Sequence, residues 1–169
     1  MRTVLSPILA VLCACALLGG CSPKYNWRDY TGKEAPYQVM FPDKPASHTR
    51  AINLDGLTVN MTMTAAEVDG VSYAVGTAQA PDEARARAAV AAMKTALVKN
   101  IGATVQREKA SAPATLDIEA TGVQNGQPIR LVGHFEARKQ RVYQVIVLGR
   151  PAAMPAEQVE TFMSSFKLN

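Results

Sequence analysis

The sequence predicts an α+β domain in which an antiparallel β-sheet packs against two helices. Three dipeptides, Asp55-Gly56, Asp69-Gly70 and Asn125-Gly126, are typical of two-residue hairpin turns and lie between β-type segments. Two other segments carry apolar residues at helical spacing. The predicted element order is therefore β-β-β-β-α-β-β-β-β-α, which is typical of an antiparallel sheet with helices packed against it.

The first half of the chain predicts four strands and a helix. A short β-type segment at residues 37–41 stops at Pro42, and the two Asp-Gly turns separate the next three strands, near residues 47–54, 57–68 and 71–80. Pro81 and the acidic residues after it are typical of a helix start, which predicts a helix over residues 82–100. Its buried stripe is predicted from apolar residues at helical spacing: Ala86, Val90, Met93 and Leu97.

The second half repeats this arrangement. Strands are predicted near residues 103–110, 113–123, 128–138 and 141–150. Pro151 and Pro155 end the sheet and precede a second helix. Its buried face is predicted from Val159, Phe162, Met163 and Phe166, which follow the i, i+3, i+4, i+7 pattern.

The hairpin turns also predict which residues lie opposite one another. Around Asn125-Gly126, one face would be apolar and would pair Leu116 with Phe135, Ile118 with Gly133, Ala120 with Leu131 and Gly122 with Ile129. The other face would be polar and would pair Thr121 with Arg130, Asp117 with His134 and Thr115 with Glu136. Around Asp69-Gly70, Met61 would lie opposite Ala78, and Met63 opposite Gly76. Such large-against-small pairs suit a face covered by an alanine-rich helix.

The N-terminal segment predicts a lipid anchor. Arg2 precedes an uninterrupted run of apolar and small residues at 8–18, which is too short to span a bilayer well. Leu18-Gly19-Gly20-Cys21 then resembles the lipobox of bacterial lipoproteins, in which the cysteine becomes the mature N-terminus. The resemblance implies cleavage before Cys21 and covalent diacylglycerol and N-acyl lipid on that residue. Two or more acyl chains anchor a protein stably. An ordinary signal peptide cut elsewhere and an uncleaved membrane helix are the alternatives.

These features predict three parts: a signal peptide at 1–20, the lipidated cysteine with a tether at 21–36, and a single globular domain at 37–169. Ser22 stands where many Gram-negative lipoproteins carry an inner-membrane retention aspartate, which favours the outer membrane, facing the periplasm. The other two cysteines, Cys13 and Cys15, lie in the predicted signal peptide. The mature domain would therefore carry no thiol chemistry, and cysteine-based metal sites are excluded.

The net charge of the chain and the aromatic residues of the tether give predictions about binding partners. The formal net charge of +4 is mild and the basic residues are scattered, so nucleic acid is not a predicted partner. Membrane lipid is a predicted partner through the Cys21 anchor. Tyr25, Trp27 and Tyr30 are unusual in a linker. They either dock on the domain or lie at the lipid interface, or they contact a partner such as another envelope protein.

The pair of Asp117 and His134 is the one candidate for catalysis. A carboxylate beside an imidazole orients the ring and favours its protonated form, as acid–base catalysis requires. The predicted strands around the pair contain no serine, and the chain has no G-x-S-x-G motif. A structural cross-strand pair is therefore the favoured interpretation.

Methionines raise the question of a metal site. Met61 and Met63, together with Met40, offer thioethers that suit Cu(I) in a compartment poor in thiols. Methionines that face glycine and alanine are more often core residues, so no metal is predicted. His48 and His134 lack a zinc-ligand spacing, and the covalent lipid is the only non-protein group that the sequence predicts.

Three segments resemble small proteobacterial lipoproteins of uncharacterised function: Trp27-Arg28, residues 37–45 and residues 162–168. The strand–helix order is also similar to that of PsbP/Mog1-like domains, which are α/β/α sandwiches around an antiparallel sheet. Those domains mostly act as binding or assembly factors. The resemblance implies a non-catalytic envelope binding or assembly factor, and an acid–base hydrolase that uses Asp117 and His134 is the alternative.

Overall fold

The computed structural model describes residues 23–169. Cys21 and the predicted signal peptide lie outside the described residues, so lipidation and cleavage stay predictions. No helix among residues 23–169 is long and apolar enough to cross a membrane.

The described part of the chain contains ten strands, two α-helices and one short 3-10 helix. The strands are β1 Arg28–Thr31, β2 Tyr37–Phe41, β3 Ala46–Leu54, β4 Leu57–Val68, β5 Val71–Gln79, β6 Ala103–Ala112, β7 Thr115–Gln124, β8 Gln127–Arg138, β9 Arg141–Gly149 and β10 Lys167–Leu168. The helices are α1 Glu83–Asn100 and α2 Ala156–Ser165, and the 3-10 helix is Pro151–Ala153. This confirms the predicted α+β class and adds two strands, β1 and β10, to the predicted order.

Seven strands form one antiparallel sheet in the order β3-β4-β5-β9-β8-β7-β6. The order follows from two groups of consecutive hairpins, β3 to β5 and β6 to β9, which join where β5 pairs with β9. A second, small sheet has the order β1-β2-β10.

The predicted hairpin registers are confirmed. Asp117 pairs with His134, and Leu116 pairs with Phe135. Met63 pairs with Gly76 across the Asp69-Gly70 turn. At this turn and at Asn125-Gly126 both turn residues have positive φ, as a type I′ hairpin loop requires. The register therefore follows from local turn geometry.

The large sheet has two covered faces, which we call the helix face and the aromatic face. On the helix face, α1 packs on small and aliphatic residues; the buried set includes Met61, Ala74, Ala78, Ala86, Ala89, Val90, Met93, Leu131 and Phe135. On the aromatic face, the small sheet and α2 pack on a second buried cluster, which includes Tyr37, Phe41, Tyr73, Val75, Tyr143, Val145, Val147 and Phe162. Helix α1 begins where the Asp82 carboxylate accepts a hydrogen bond of 2.8 Å from the Arg85 backbone N–H.

Part of the predicted tether forms strand β1 of the small sheet. Strand β1 pairs with β2, with Arg28 opposite Phe41, and the backbone N–H of Asn26 donates to the Pro42 carbonyl at 2.8 Å. Upstream of the strand, the Lys24 ammonium lies 2.5 Å from the Asp69 carboxylate. The aromatic residues of this segment bury apolar area against the domain, which an extended linker in water would forgo.

Candidate functional site

The predicted pair of Asp117 and His134 lies on β7 and β8, on the same side of the sheet as the aromatic face. Its neighbours on that side are the buried Val145 and Val147 and the half-buried Val132. The ring of Phe166 lies 6.1 Å from the His134 ring, between centroids. The His134 side chain is 22% exposed, so the imidazole is largely covered and yet reachable from solvent.

The structure places two carboxylates around the imidazole. Nδ1 of His134 lies 2.7 Å from Oδ1 of Asp117, and Nε2 lies 3.4 Å from Oε2 of Glu136. Both contacts are hydrogen bonds only when both ring nitrogens carry hydrogen. The sequence prediction places Glu136 on the same polar face, opposite Thr115, but does not include it in the candidate pair. Its position two residues from His134 puts both side chains on one face of a strand.

Neighbouring charges on these strands also form pairs. Arg130 and Arg107 each hydrogen-bond to Glu119 at 3.0 Å, and Arg138 lies 4.0 Å from Glu136. Within residues 23–169, the side-chain hydrogen bonds of His134 lead to carboxylates and to no hydroxyl group. Nucleophilic catalysis needs a nucleophile within hydrogen-bond reach of the base. The cluster therefore orients an imidazole without activating a serine or threonine.

The three aromatic residues of the N-terminal segment lie half-buried against the aromatic face. Tyr25 stacks on Trp27 with 6.1 Å between ring centroids, and Trp27 meets Tyr73 edge-on at 6.3 Å. Tyr30 meets Phe41 edge-on at 5.5 Å. These side chains dock on the domain, and their role in contacting a partner stays a prediction.

Three tyrosines of the aromatic face have raised pKa values. Burial raises the pKa of Tyr37 from about 10 to about 12. Burial also raises the pKa of Tyr73 and the pKa of Tyr143. Desolvation penalises the phenolate, so these hydroxyls stay protonated well into the alkaline range.

The methionines predicted to lie together do so only in part. Met61 and Met63 line a cavity of about 210 Å³ on the helix face, and Met93 of α1 lines the same cavity. Met40 instead lines a groove between β1, β2 and α2. Sequence reasoning placed Met93 on the buried stripe of α1 but missed that it joins the other two, because spacing within a helix does not tell which strand residues it meets.

In residues 23–169, the side chains that usually bind zinc are not gathered at one place. Among residues 23–169, no three histidine, aspartate, glutamate or cysteine side chains are placed to hold a metal ion. His48 lies on the edge strand β3 opposite Met63, four strand positions from the β8 strand that carries His134.

A surface groove lies at one end of the large sheet, beside the β8–β9 turn. Its volume is about 670 Å³, and its lining includes three basic residues, Arg138, Lys139 and Arg141. The Ala80 N–H donates to the Gln140 carbonyl at 2.8 Å and ties this turn to the end of β5. Lys24 pairs with Asp69 at the opposite end of β5.

The chain was also compared with known proteins. No family model matches it, and no curated protein matches it. Among solved structures, it is similar to the crystal structure of PA94, a protein of unknown function from Pseudomonas aeruginosa. The two chains are 12% identical, the match covers 79% of this chain and 90% of that chain, and the TM-score is 0.40. A likeness at this level carries no argument about function.

Proposed function

We propose that the protein is a membrane-anchored bacterial lipoprotein that acts as a non-catalytic binding or assembly factor in the cell envelope. Its anchor would be lipid on Cys21, in the outer membrane and facing the periplasm, and its partner another envelope protein. The observation that carries the proposal is the position of the basic groove relative to the anchored end of the domain.

The contact between Lys24 and Asp69 places the start of the described chain at the β4–β5 turn. The groove lies past the other end of β5, at Arg138, Lys139 and Arg141. A nine-residue strand spans about 30 Å. A lipid on Cys21 would therefore hold one end of the sheet near the membrane and present the basic groove on the side away from it.

The groove also has the composition of a binding surface. Three cationic side chains lie beside the polar Gln79 and Gln140 and the ring of Tyr143. The one acidic side chain in the lining, Glu83, is paired with Arg87 of the same helix. Lys139 and Arg141 form no ion pair with the described residues, whereas Arg138 lies 4.0 Å from Glu136. Unpaired cations around an open groove favour an acidic partner surface.

Site-specific photocrosslinking in intact cells tests the proposal. A photoreactive residue in place of Gln140, in the groove, is expected to capture a distinct envelope protein. The matched control carries the same residue in place of Asn125, which lies in another two-residue hairpin turn but at the anchored end of the sheet. Capture of no specific protein from the groove position would contradict the binding role.

The anchor is tested separately by metabolic labelling with palmitate. The wild-type chain is expected to incorporate label and to fractionate with the outer membrane, and Cys21→Ala is expected to do neither. Label that persists in Cys21→Ala would contradict lipidation at this residue.

A second candidate function, an acid–base hydrolase, is favoured by the contact of 2.7 Å between His134 and Asp117. Hydrolysis of a panel of small esters and amides by the wild type, lost in His134→Gln and retained in Arg107→Gln, would support it. Equal turnover by His134→Gln and the wild type would reject it.

A further inference from the structure

Three methionine side chains line one cavity on the helix face. The sulfurs of Met63 and Met61 lie 2.6 and 3.5 Å from the position that a Cβ would occupy on Gly76. The Met63 thioether therefore occupies the space that a side chain would take on the central strand β5, and the Met61 sulfur lies at van der Waals distance from that position. Met93 is 2% exposed and lines the cavity above them from α1.

The surroundings of these sulfurs suit a soft cation. The cavity of about 210 Å³ opens to solvent between the end of β3 and the second half of α1. Gln144, which pairs with Gly76 across β5 and β9, adds a largely buried side-chain amide that is only 6% exposed. Methionine has three rotatable bonds, so the sulfurs can adjust to one ion without a change in the sheet.

The chemistry of the donors selects the metal. Thioethers are soft, neutral ligands, and among protein metals they favour Cu(I). Residues 23–169 contain no cysteine that would compete for the ion. Hard ions such as Mg²⁺ and Ca²⁺ prefer carboxylate and carbonyl oxygens.

We propose that Met61, Met63 and Met93 form a binding site for a single Cu(I) ion, or for Ag(I) as its redox-inert analogue. The ion is bound and released as Cu(I), so no electron transfer is involved. Thioethers carry no proton to lose, so binding releases none, and the affinity is expected to stay constant from neutral to mildly acidic pH. Sites built on thiolate or imidazole lose affinity as pH falls.

The test uses the full chain purified in detergent with ¹³C-labelled methionine methyl groups, and Ag(I) is the probe. The six methionines after residue 21 provide their own control, because three lie in the proposed site and Met40, Met154 and Met163 lie outside it. Saturation at one ion per chain, with shifts of the Met61, Met63 and Met93 resonances alone, is the expected result. Equal shifts of all six resonances, or no shift at all, would overturn the proposal.

Affinity measurements on variants give a second readout. The double variant Met61→Leu with Met63→Leu keeps the side-chain volume and is expected to bind Cu(I) about 100-fold more weakly in competition with a chromogenic chelator, since two of three ligands are lost. Met40→Leu with Met163→Leu is the matched control and is expected to bind as the wild type does. Equal affinity of both double variants would show that the methionines of the helix face only fill the core.

Discussion

The two faces of the large sheet are covered by residues of different kinds. The helix face buries methionine, alanine and aliphatic side chains under α1. The aromatic face buries a connected set of rings, in which Phe162 meets Phe41 at 5.5 Å and Tyr73 at 5.4 Å between centroids. Unbranched and small side chains adapt to a change in shape, whereas interlocked rings do not. We therefore expect a substitution on the helix face to cost less stability than a comparable substitution on the aromatic face.

Strand β5 contributes buried residues to both faces of the large sheet. In β5, Ala74 and Ala78 belong to the helix face, and Tyr73 and Val75 belong to the aromatic face. The absence of a side chain at Gly76 leaves room for the sulfur of Met63, which any Cβ at this position would displace. A strand covered on both sides has no polar face, so alternation of small and large residues replaces alternation of polar and apolar ones.

The largest expected effect is that of Phe162→Ala. Phe162 is 0% exposed, and its truncation would leave a cavity between two rings that cannot close around it. The free energy of unfolding is expected to fall by about 3–5 kcal/mol in urea denaturation. Met93→Ala, the matched truncation of a buried residue on the helix face, is expected to cost about 2–3 kcal/mol, because the adaptable side chains around it can close part of the cavity. Equal losses would remove the contrast between the two faces.

Alkaline pH should weaken the aromatic face selectively. The pKa of Tyr37 is about 12 in the folded chain and about 10 when the phenol is in water. The folded state therefore holds this proton more tightly. Its contribution is complete below pH 10 and is lost as the pH rises through about 12.

The stability lost through Tyr37 over this range is about 2 kcal/mol. Urea unfolding at increasing pH measures it, with Tyr37→Phe as the variant that removes the titrating group. A smaller alkaline loss is expected in Tyr37→Phe. The same loss in both proteins would assign the effect to other groups.

Trp27→Ala tests whether the N-terminal segment belongs to the aromatic face. Because Trp27 is half-buried and meets the ring of Tyr73 edge-on, its removal is expected to cost about 1–2 kcal/mol in thermal or urea unfolding. Trp27→Phe should retain most of the stability. A free tether would give no loss in either variant.

The smallest expected effect lies outside both faces. Lys139 has a φ of +54° in the β8–β9 turn, where Asn125 occupies the same first position of the β7–β8 turn with a φ of +52°. Asparagine tolerates this conformation better than lysine, so Lys139→Asn is expected to stabilise the protein by about 0.5 kcal/mol. A rise in Tm of about 1–2 °C would confirm it. An unchanged or lower Tm would contradict it.

Hairpins and helices were predictable because their determinants are local. The turns Asp69-Gly70 and Asn125-Gly126 determine which residues face each other several positions away, and the pairing of Asp117 with His134 follows from the second turn. The helix start at Pro81 and Asp82 is equally local. The candidate pair on β7 and β8 was therefore predictable from the sequence, down to its partners across the strand.

The remaining features depend on contacts between distant parts of the chain. Three features are of this kind. Strand β5 pairs with β9, the segment from Tyr25 to Tyr30 docks on the aromatic face, and Met93 meets Met61 and Met63 on the helix face. No turn rule links such segments, and each forms because its surface complements another after the hairpins are in place. By itself, the sequence determined the order of strands β2 to β9 and of the two helices, the hairpin registers and the candidate lipid anchor at Cys21. Tertiary structure alone decided which faces are covered by rings and which by methionines, because burial depends on what packs across the sheet.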